Sequence, residues 1–469
     1  MDIESAVVLA AGEGTRLRPL TKHRPKPMLP AANRPILEYV FDALIDAGVE
    51  DLHLVVGYKR DRVQNHFGAA YRDRPITYHV QGKQLGSGHA LLQASHALDA
   101  DFLVVNGDQI VREETVTAVR EAHTVEDVAT LAVIESEEAP NYGAVKLDGD
   151  RVVEFTEKPR SDSYRLLNAG VYVFAPSFFV EVESTPRQHG ELSLSDSIAQ
   201  LVENGSPVRG VLTDGIWEDA TYPWDLLSLA RKLMNRGLVE GAAGPNAAVV
   251  PGGRDGAGGP DGAGGTDRTD GAGGADEPGR VDGPEGVDGT DGASETAGAG
   301  RTAGLRGAAA LDRSAGADGV YVDRTATVHP DATLQGPAIV GPDSVIGPAA
   351  VVGPNTALGR NVTVEAGAVV RGSVVDVDSR VGPNATLVDC VTGEGVQVGA
   401  GTVAPGGSAD VRIGTRIHEG CQLGAVIADR ARLDGGATVE PGSLVGPHAS
   451  VRTGAHVRGD VDEGAEVRR

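Results

Sequence analysis

The 469-residue chain has only two cysteines, Cys390 and Cys421, too few for a disulfide framework or for a zinc site of their own. No apolar run approaches the ~20 residues that span a bilayer. The opening "MDIES" lacks the basic flank and the long apolar stretch of a secretory signal. A reduced, cytoplasmic setting without a membrane partner is the expectation. Lysine is also scarce, at seven residues, so nearly all of the 42 basic side chains are arginine, set against 66 Asp plus Glu for a formal charge of −24. Such a surface argues against general binding to nucleic acid or anionic lipid and reads as a solubility device for a salty cytosol.

What is present falls into regions. From Ala6 to about Arg236, strand-sized apolar runs ("AVVLA", "LHLVVG", "ITYHV", "FLVVNGD") alternate with helix-sized amphipathic ones such as "PILEYVFDALIDAG". That alternation predicts an α/β domain over 1–238, Rossmann-like, with a mostly parallel sheet covered by helices and ligands beyond the carboxyl ends of the strands. Residues 239–318 turn to Gly, Asp, Ala, Thr and Pro, and Pro251 to Gly300 contains no aromatic, Leu, Ile or Met. So little apolar surface does not offset ordering entropy, and a disordered acidic linker is expected.

Over 319–461 an aliphatic residue recurs every sixth position, at Val328, Leu334, Val340, Ile346, Val352, Leu358, Val364 and Val370, and again from Ile427 to Val457. A small residue stands four places after most of them. This hexapeptide period predicts a parallel β-helix, with 462–469 as a tail. Val375, Val381 and Leu387 are out of phase, which predicts an irregular coil between the two runs.

One loop gathers the scarce positive charge: "LAAGEGTRLRPLTKHRPKPML", from Leu9 to Leu29, with Arg16, Arg18, Lys22, Arg24 and Lys26. Leu17 stands where a dinucleotide fingerprint needs its third glycine, and there is no GK[ST] of a P-loop. What remains is a strand, a Gly-rich turn able to line a phosphate site with backbone N–H groups, and cations to neutralise it. A solvated basic loop fits the same residues.

The loop resembles the signature of sugar-1-phosphate nucleotidyltransferases, and further motifs follow in that family's order: "QGKQLGSGHAL", "VVNGD", "NYGAV", "EFTEKP", "LNAGVYVF" and "WEDATYPWDLL". The β-helix is similar to the subgroup in which a uridylyltransferase is fused to a hexapeptide-repeat acetyltransferase acting on glucosamine 1-phosphate. The resemblance implies a nucleotidyltransferase fold joined to a left-handed parallel β-helix, and transfer of a nucleotidyl group from UTP or dTTP to glucose 1-phosphate or N-acetylglucosamine 1-phosphate with release of pyrophosphate. It implies Mg²⁺ on Asp108 and Asp219; Arg16 and Lys26 on the triphosphate; Ala11, Gly12, Gly14, Gln81, Gly86 and Ser87 around the nucleoside; Gly143, Glu157 and Asn168 on the sugar; and Lys158 on its phosphate. A homo-oligomer, trimeric through the β-helix, is the expected assembly.

Singly, these residues have plainer readings. Asp108 can begin a turn, Asp219 can cap a helix, and Glu157 with Lys158 can be a surface pair. "QLGSGHAL" leans toward uridylyltransferases, while Asp219 and "EKP" lean toward thymidylyltransferases. The β-helix departs from the acetyltransferase pattern, because Asn384 stands where the catalytic His is expected, and an amide cannot accept a proton from an attacking amine. An assembly scaffold is therefore the expectation there. The alternatives are added acetyl transfer, or a non-catalytic regulatory subunit of the same two-domain plan.

Overall fold

The computed structural model describes residues 3–137, 139, 142–159, 163–239, 247–250 and 319–469. In chain order the first part runs β1 (Ser5–Ala10), α1 (Ile36–Asp46), β2 (Asp51–Val56), α2 (Arg60–Phe67), β3 (Arg74–Val80), α3 (Ser87–Leu92), β4 (Phe102–Asn106), α4 (Glu113–Ala122), β5 (Ala129–Glu135), β6 (Gly143–Asp148), β7 (Arg151–Glu157), β8 (Leu166–Phe174), α5 (Phe178–Ser184), α6 (Leu194–Glu203), β9 (Val208–Leu212) and α7 (Asp225–Asn235). The central strands β1, β2 and β4 are buried over most of their length because both sheet faces are covered there, whereas β3 and β7, nearer the edges, alternate buried with exposed residues. Ala6, Val8 and Ala10 of β1 share one buried cluster with Leu37, Phe41 and Leu44 of α1, whereas Val7 joins Leu91, Phe178 and Ile198 on the opposite face.

The sheet order is β6-β7-β9-β5-β8-β4-β1-β2-β3, with the short strand Ala70–Tyr71 at the edge. Pairing is parallel from β4 through β1 and β2 to β3, as the alternating pattern predicts. The other half is mixed, because β8 lies antiparallel between β4 and β5, and β6 and β7 form an antiparallel pair. No crossover helix separates β5 through β8, so those strands return directly and cannot be parallel neighbours.

The repeat forms a parallel β-helix of three stacked sheets, with Val340, Ile346, Val352, Leu358, Val364 and Val370 in one internal core. Ala338 pairs with Thr356, and Val345 with Thr363, eighteen residues on. Thr363 then pairs with Arg380 and Ala357 with Val374, seventeen residues on. A corner shortened by one residue around Gly372 is the origin of the phase shift at Val375. A hairpin, Ser408–Ile413 paired with Arg416–Gln422, leaves the helix before the second run begins.

Two boundaries move. Glu466 pairs with Ser450, so the helix continues through 462–469, which is not a free tail. Within the expected linker, Ala247–Val250 pairs antiparallel with Val320–Asp323; the remainder, from 240, lies outside the described residues. One β-helix sheet is covered: Ile339, Ala357, Val374, Val391 and Val426 share a buried cluster with Leu17, Leu20 and Leu29 and with Leu226, Leu229 and Leu233 of α7. Among the described residues no helix is long and apolar enough to cross a membrane.

Candidate active site

A cavity of about 460 Å³ opens beyond the carboxyl ends of the parallel strands. Twelve of the fourteen residues singled out in the sequence line it: Ala11, Gly12 and Gly14 after β1, Lys26, Gln81 after β3, Gly86, Ser87, Asp108 after β4, Gly143, Glu157, Asn168 and Asp219. Arg16 sits instead on an exposed turn, Thr15–Leu17, and Lys158 is exposed with its ammonium 3.7 Å from Glu157.

The floor is electrostatic. Lys26 Nζ lies 3.0 Å from Asp108 Oδ2 and also donates to Asp219 Oδ1, whose other oxygen accepts from Thr221 Oγ1 at 2.9 Å. Burial alone would favour the neutral amine, but the two carboxylates outweigh it and raise the Lys26 pKa above its ordinary value. Lys26 therefore stays charged through the neutral range. Asp108 keeps 41% of its side chain exposed against 15% for Asp219, so it is the more open of the pair. Two carboxylates meeting on one cation, one of them open to the cavity, fit a divalent ion that takes its remaining ligands from substrate phosphate and water. Among the described residues no larger group of His, Cys, Asp and Glu gathers anywhere as a metal cage.

The glycines act by close approach. Gly14 has φ 68°, and a Cβ there would lie 2.7 Å from Lys26 Cβ, so its absence lets the lysine segment cross beneath the turn. Gly86, at φ 97°, sits where a Cβ would come within 2.3 Å of Leu192 O. Ser87 Oγ accepts from Leu194 N at 2.9 Å, so Gly86 and Ser87 tie the 192–194 strap to the cavity wall as well as facing the cavity. Gln81 is buried and its Nε2 donates to Gly86 O at 3.0 Å and to His89 Nδ1 at 3.0 Å, which fixes the amide plane and commits both donor hydrogens. On the opposite wall Gly143 pairs with Glu157 across β6 and β7. A register irregularity after Asn168 in β8 lets its Oδ1 accept from Gly170 N at 3.2 Å while its Nδ2 donates to the Tyr172 hydroxyl at 2.6 Å.

Gln84, Gln109, Glu191, Ser195 and Trp217 also line the cavity and were missed. Gln84 Nε2 donates to Ala11 O at 3.1 Å, and Trp217 Nε1 to Gln109 Oε1 at 3.3 Å. Two of them stand in motifs singled out in the sequence, Gln84 in "QGKQLGSGHAL" and Trp217 in "WEDATYPWDLL", and Gln109 directly follows Asp108; Glu191 and, at the start of α6, Ser195 carried no signal.

Residues 5–236 match the family described as Nucleotidyl transferase. The UTP–glucose-1-phosphate uridylyltransferase AglF of Haloferax volcanii is 39% identical over 226 residues, which is 47% of this chain and 92% of that protein. The chain belongs to the nucleotidyl transferase family. A bifunctional protein GlmU of Methanococcus maripaludis is 38% identical over 236 residues, 49% of this chain and 54% of that protein. The chain thus spans about half the length of that relative. A solved UDP-glucose pyrophosphorylase from Acinetobacter baumanii aligns over 50% of this chain and 94% of its own, with TM-score 0.46 and 23% identity. Residues 317–407 match a second family, described as GMPPB C-terminal domain.

The β-helix residue expected to replace a catalytic His has a conformational explanation. Asn384 is exposed at φ 56°, as are Asn361 and Asp378 at φ 56° and 58°, and Gly367 stands at φ 66° in an equivalent corner. Asn, Asp and Gly recur there because the corner requires the left-handed region.

Proposed function

We propose that the chain is a sugar-1-phosphate nucleotidyltransferase that joins UTP to glucose 1-phosphate and releases pyrophosphate. The observation that carries the reading is the meeting of Asp108 and Asp219 on Lys26 Nζ at the floor of a cavity past the strand ends. UTP and glucose 1-phosphate are favoured over other pairs by the name of the 39% identical relative.

The attacking phosphate oxygen of a sugar 1-phosphate is already ionised at neutral pH, so no strong general base is required. Positioning and charge neutralisation dominate. Lys26 supplies a permanent positive charge to the α-phosphate region, and Arg16, two residues past Gly14, is assigned to the outer phosphates. Asp108 and Asp219 would hold Mg²⁺, which would supply charge neutralisation to the phosphates. Gln81, held flat by Gly86 and His89, presents its Oε1 as an acceptor to the imide N–H of a pyrimidine; Ala11, Gly12 and Ser87 flank the nucleoside. Glu157, Asn168 and Gly143 face the sugar, and Lys158 its phosphate. The β-helix is read as a scaffold, its two other sheets being the surfaces through which copies assemble into a homo-oligomer.

Pyrophosphate release by the full chain in molar KCl with Mg²⁺ tests this, with UTP, dTTP, GTP, ATP and CTP each set against glucose 1-phosphate and N-acetylglucosamine 1-phosphate. UTP with glucose 1-phosphate is expected to turn over, and Asp108→Ala to lose at least about 10²-fold in kcat. Silence across every pair, in folded protein that binds no nucleotide, would replace the reading with that of a non-catalytic subunit.

A further inference from the structure

The charge gathered in the basic loop is mostly not directed at the cavity. Arg18 pairs with Glu13 next to it, and Lys22 and His23 reach Glu463 in the last coil of the β-helix, at 3.8 Å and 2.8 Å. Arg24 is buried between two β-helix carboxylates: Nη1 donates to Asp376 Oδ2, and Nη2 lies 3.0 Å from Asp429 Oδ1. Both acids are placed by backbone amides. Asp376 Oδ1 accepts from Val377 N at 2.8 Å, and Asp429 Oδ1 from Glu394 N at 3.0 Å, in a spot where a Cβ on Gly393 would come within 2.2 Å of that oxygen.

We propose that Arg24 is a positioning residue for nucleotidyl transfer and that the β-helix, through Asp376 and Asp429, sets the place of Lys26 in the cavity. The inference rests on the transferase reading above. One residue, Pro25, separates Arg24 from Lys26, and Pro27 follows. Both prolines fix φ, so the segment transmits the position of one side chain to the other as a stiff strut. Its other side is closed by the Gly14 turn, where Thr21 Oγ1 donates to Gly14 O at 2.8 Å.

Stability alone is a poor explanation of this triad. A buried guanidinium facing two buried carboxylates leaves a net negative charge away from water, and apolar replacements of such groups are often neutral or stabilising. Arg24 Nε and Asp429 Oδ2 are, besides, buried without a hydrogen-bond partner among the described residues. What the triad supplies is a fixed direction for one side chain. The β-helix holds the second metal carboxylate's segment in the same way. His418, on the hairpin that leaves the helix, packs 4.4 Å from the Tyr222 ring and 5.3 Å from the Trp224 ring, just past Asp219. The segments bearing Lys26 and Asp219 are therefore both gripped from the β-helix side.

The test uses the full chain carrying Asp376→Asn with Asp429→Asn, and separately Arg24→Lys, which keeps the charge but reaches fewer partners. Hydrogen–deuterium exchange is read on peptides covering 14–29, and kcat and both KM values are read from pyrophosphate release. Expected are roughly tenfold faster exchange in 14–29 with the central strands β1 and β4 still protected, and a kcat lower by about tenfold with the sugar-phosphate KM within about twofold of wild type. Arg24→Lys should fall between the two. Unchanged exchange overturns the proposal, as does faster exchange with unaltered kcat and KM, which would make the triad merely structural. If the asparagine pair does not fold, Arg24→Lys is judged by the same criteria. If the wild-type chain turns over nothing, the transferase reading fails on its own account, and the exchange data still decide whether the β-helix holds the loop.

Discussion

At the scale of single residues, the cavity depends on positions where a side chain has no room. Gly86→Ala places a methyl against Leu192 O and a residue with a Cβ at φ 97°. The strap that it anchors cannot retreat without losing the bond from Leu194 N to Ser87 Oγ. The variant is expected to lose about 2 kcal/mol or more of stability in denaturant melts, with a raised KM for the nucleotide. Asn384 makes the opposite case. Asn384→Gly should unfold within about 0.5 kcal/mol of wild type, whereas the β-branched Asn384→Val should lose about 1–2 kcal/mol, because only the former suits φ 56°. The Asn384 amide cannot accept a proton from an attacking amine, so acetyl-CoA with glucosamine 1-phosphate should give no free thiol in a chromogenic assay. Thiol release that Asn384→Gly abolishes would favour the bifunctional alternative.

At the scale of elements, β2 and β3 bring two imidazoles together inside the sheet: His53 Nδ1 is 3.0 Å from His79 Nε2, and the rings stack at 5.3 Å. Burial pushes both below the ordinary value of 6.5, and for His79 the neighbouring His53 and His96 push further. Burial also lowers His123. The folded chain therefore binds fewer protons than the unfolded chain just below pH 6.5, so the stability these groups contribute is present above that pH and is lost as pH falls. The melting temperature should drop between pH 7.5 and 5.5, and His53→Phe with His79→Leu should flatten that slope. An unchanged slope would assign acid sensitivity elsewhere.

Elements were also where the sequence was most and least informative. The hexapeptide period was legible because every inward residue of a coil meets the same environment, and the strands β1, β2 and β4 because each is buried on both faces. The antiparallel insertion of β8 was not, since a run apolar on both faces carries no mark of direction. Nor was the hairpin after Ala404, whose residues pack on another domain and follow no repeat. In the site, motif order brought Asp108 and Asp219 to one cation although 111 positions separate them. The destinations of Arg24 and Lys22 could not be read, because Asp376, Asp429 and Glu463 sit in corners where any polar residue satisfies the repeat.

At the scale of the whole molecule, the formal charge of −24 sets how these domains stay together. The buried contact between the α/β domain and the β-helix is apolar at its centre, through α7 and the covered sheet, and at its rim ionic groups of both domains meet: Lys22 and His23 with Glu463, and Arg62 with Glu394 at 3.2 Å. Salt acts on these parts in opposite directions. It weakens the exposed rim pairs, each worth at most about 1 kcal/mol. It also shortens the screening length from about 10 Å at 0.1 M to about 3 Å at 1 M, which relieves repulsion among many like charges spread over the surface. With 66 acidic against 42 basic side chains, relief of repulsion is the larger effect. The melting temperature should therefore rise between 0.1 M and 1 M KCl, in a single transition if the apolar contact keeps the two domains cooperative. A fall across that range would mean that the rim pairs, and not the covered sheet, hold the β-helix against the transferase domain.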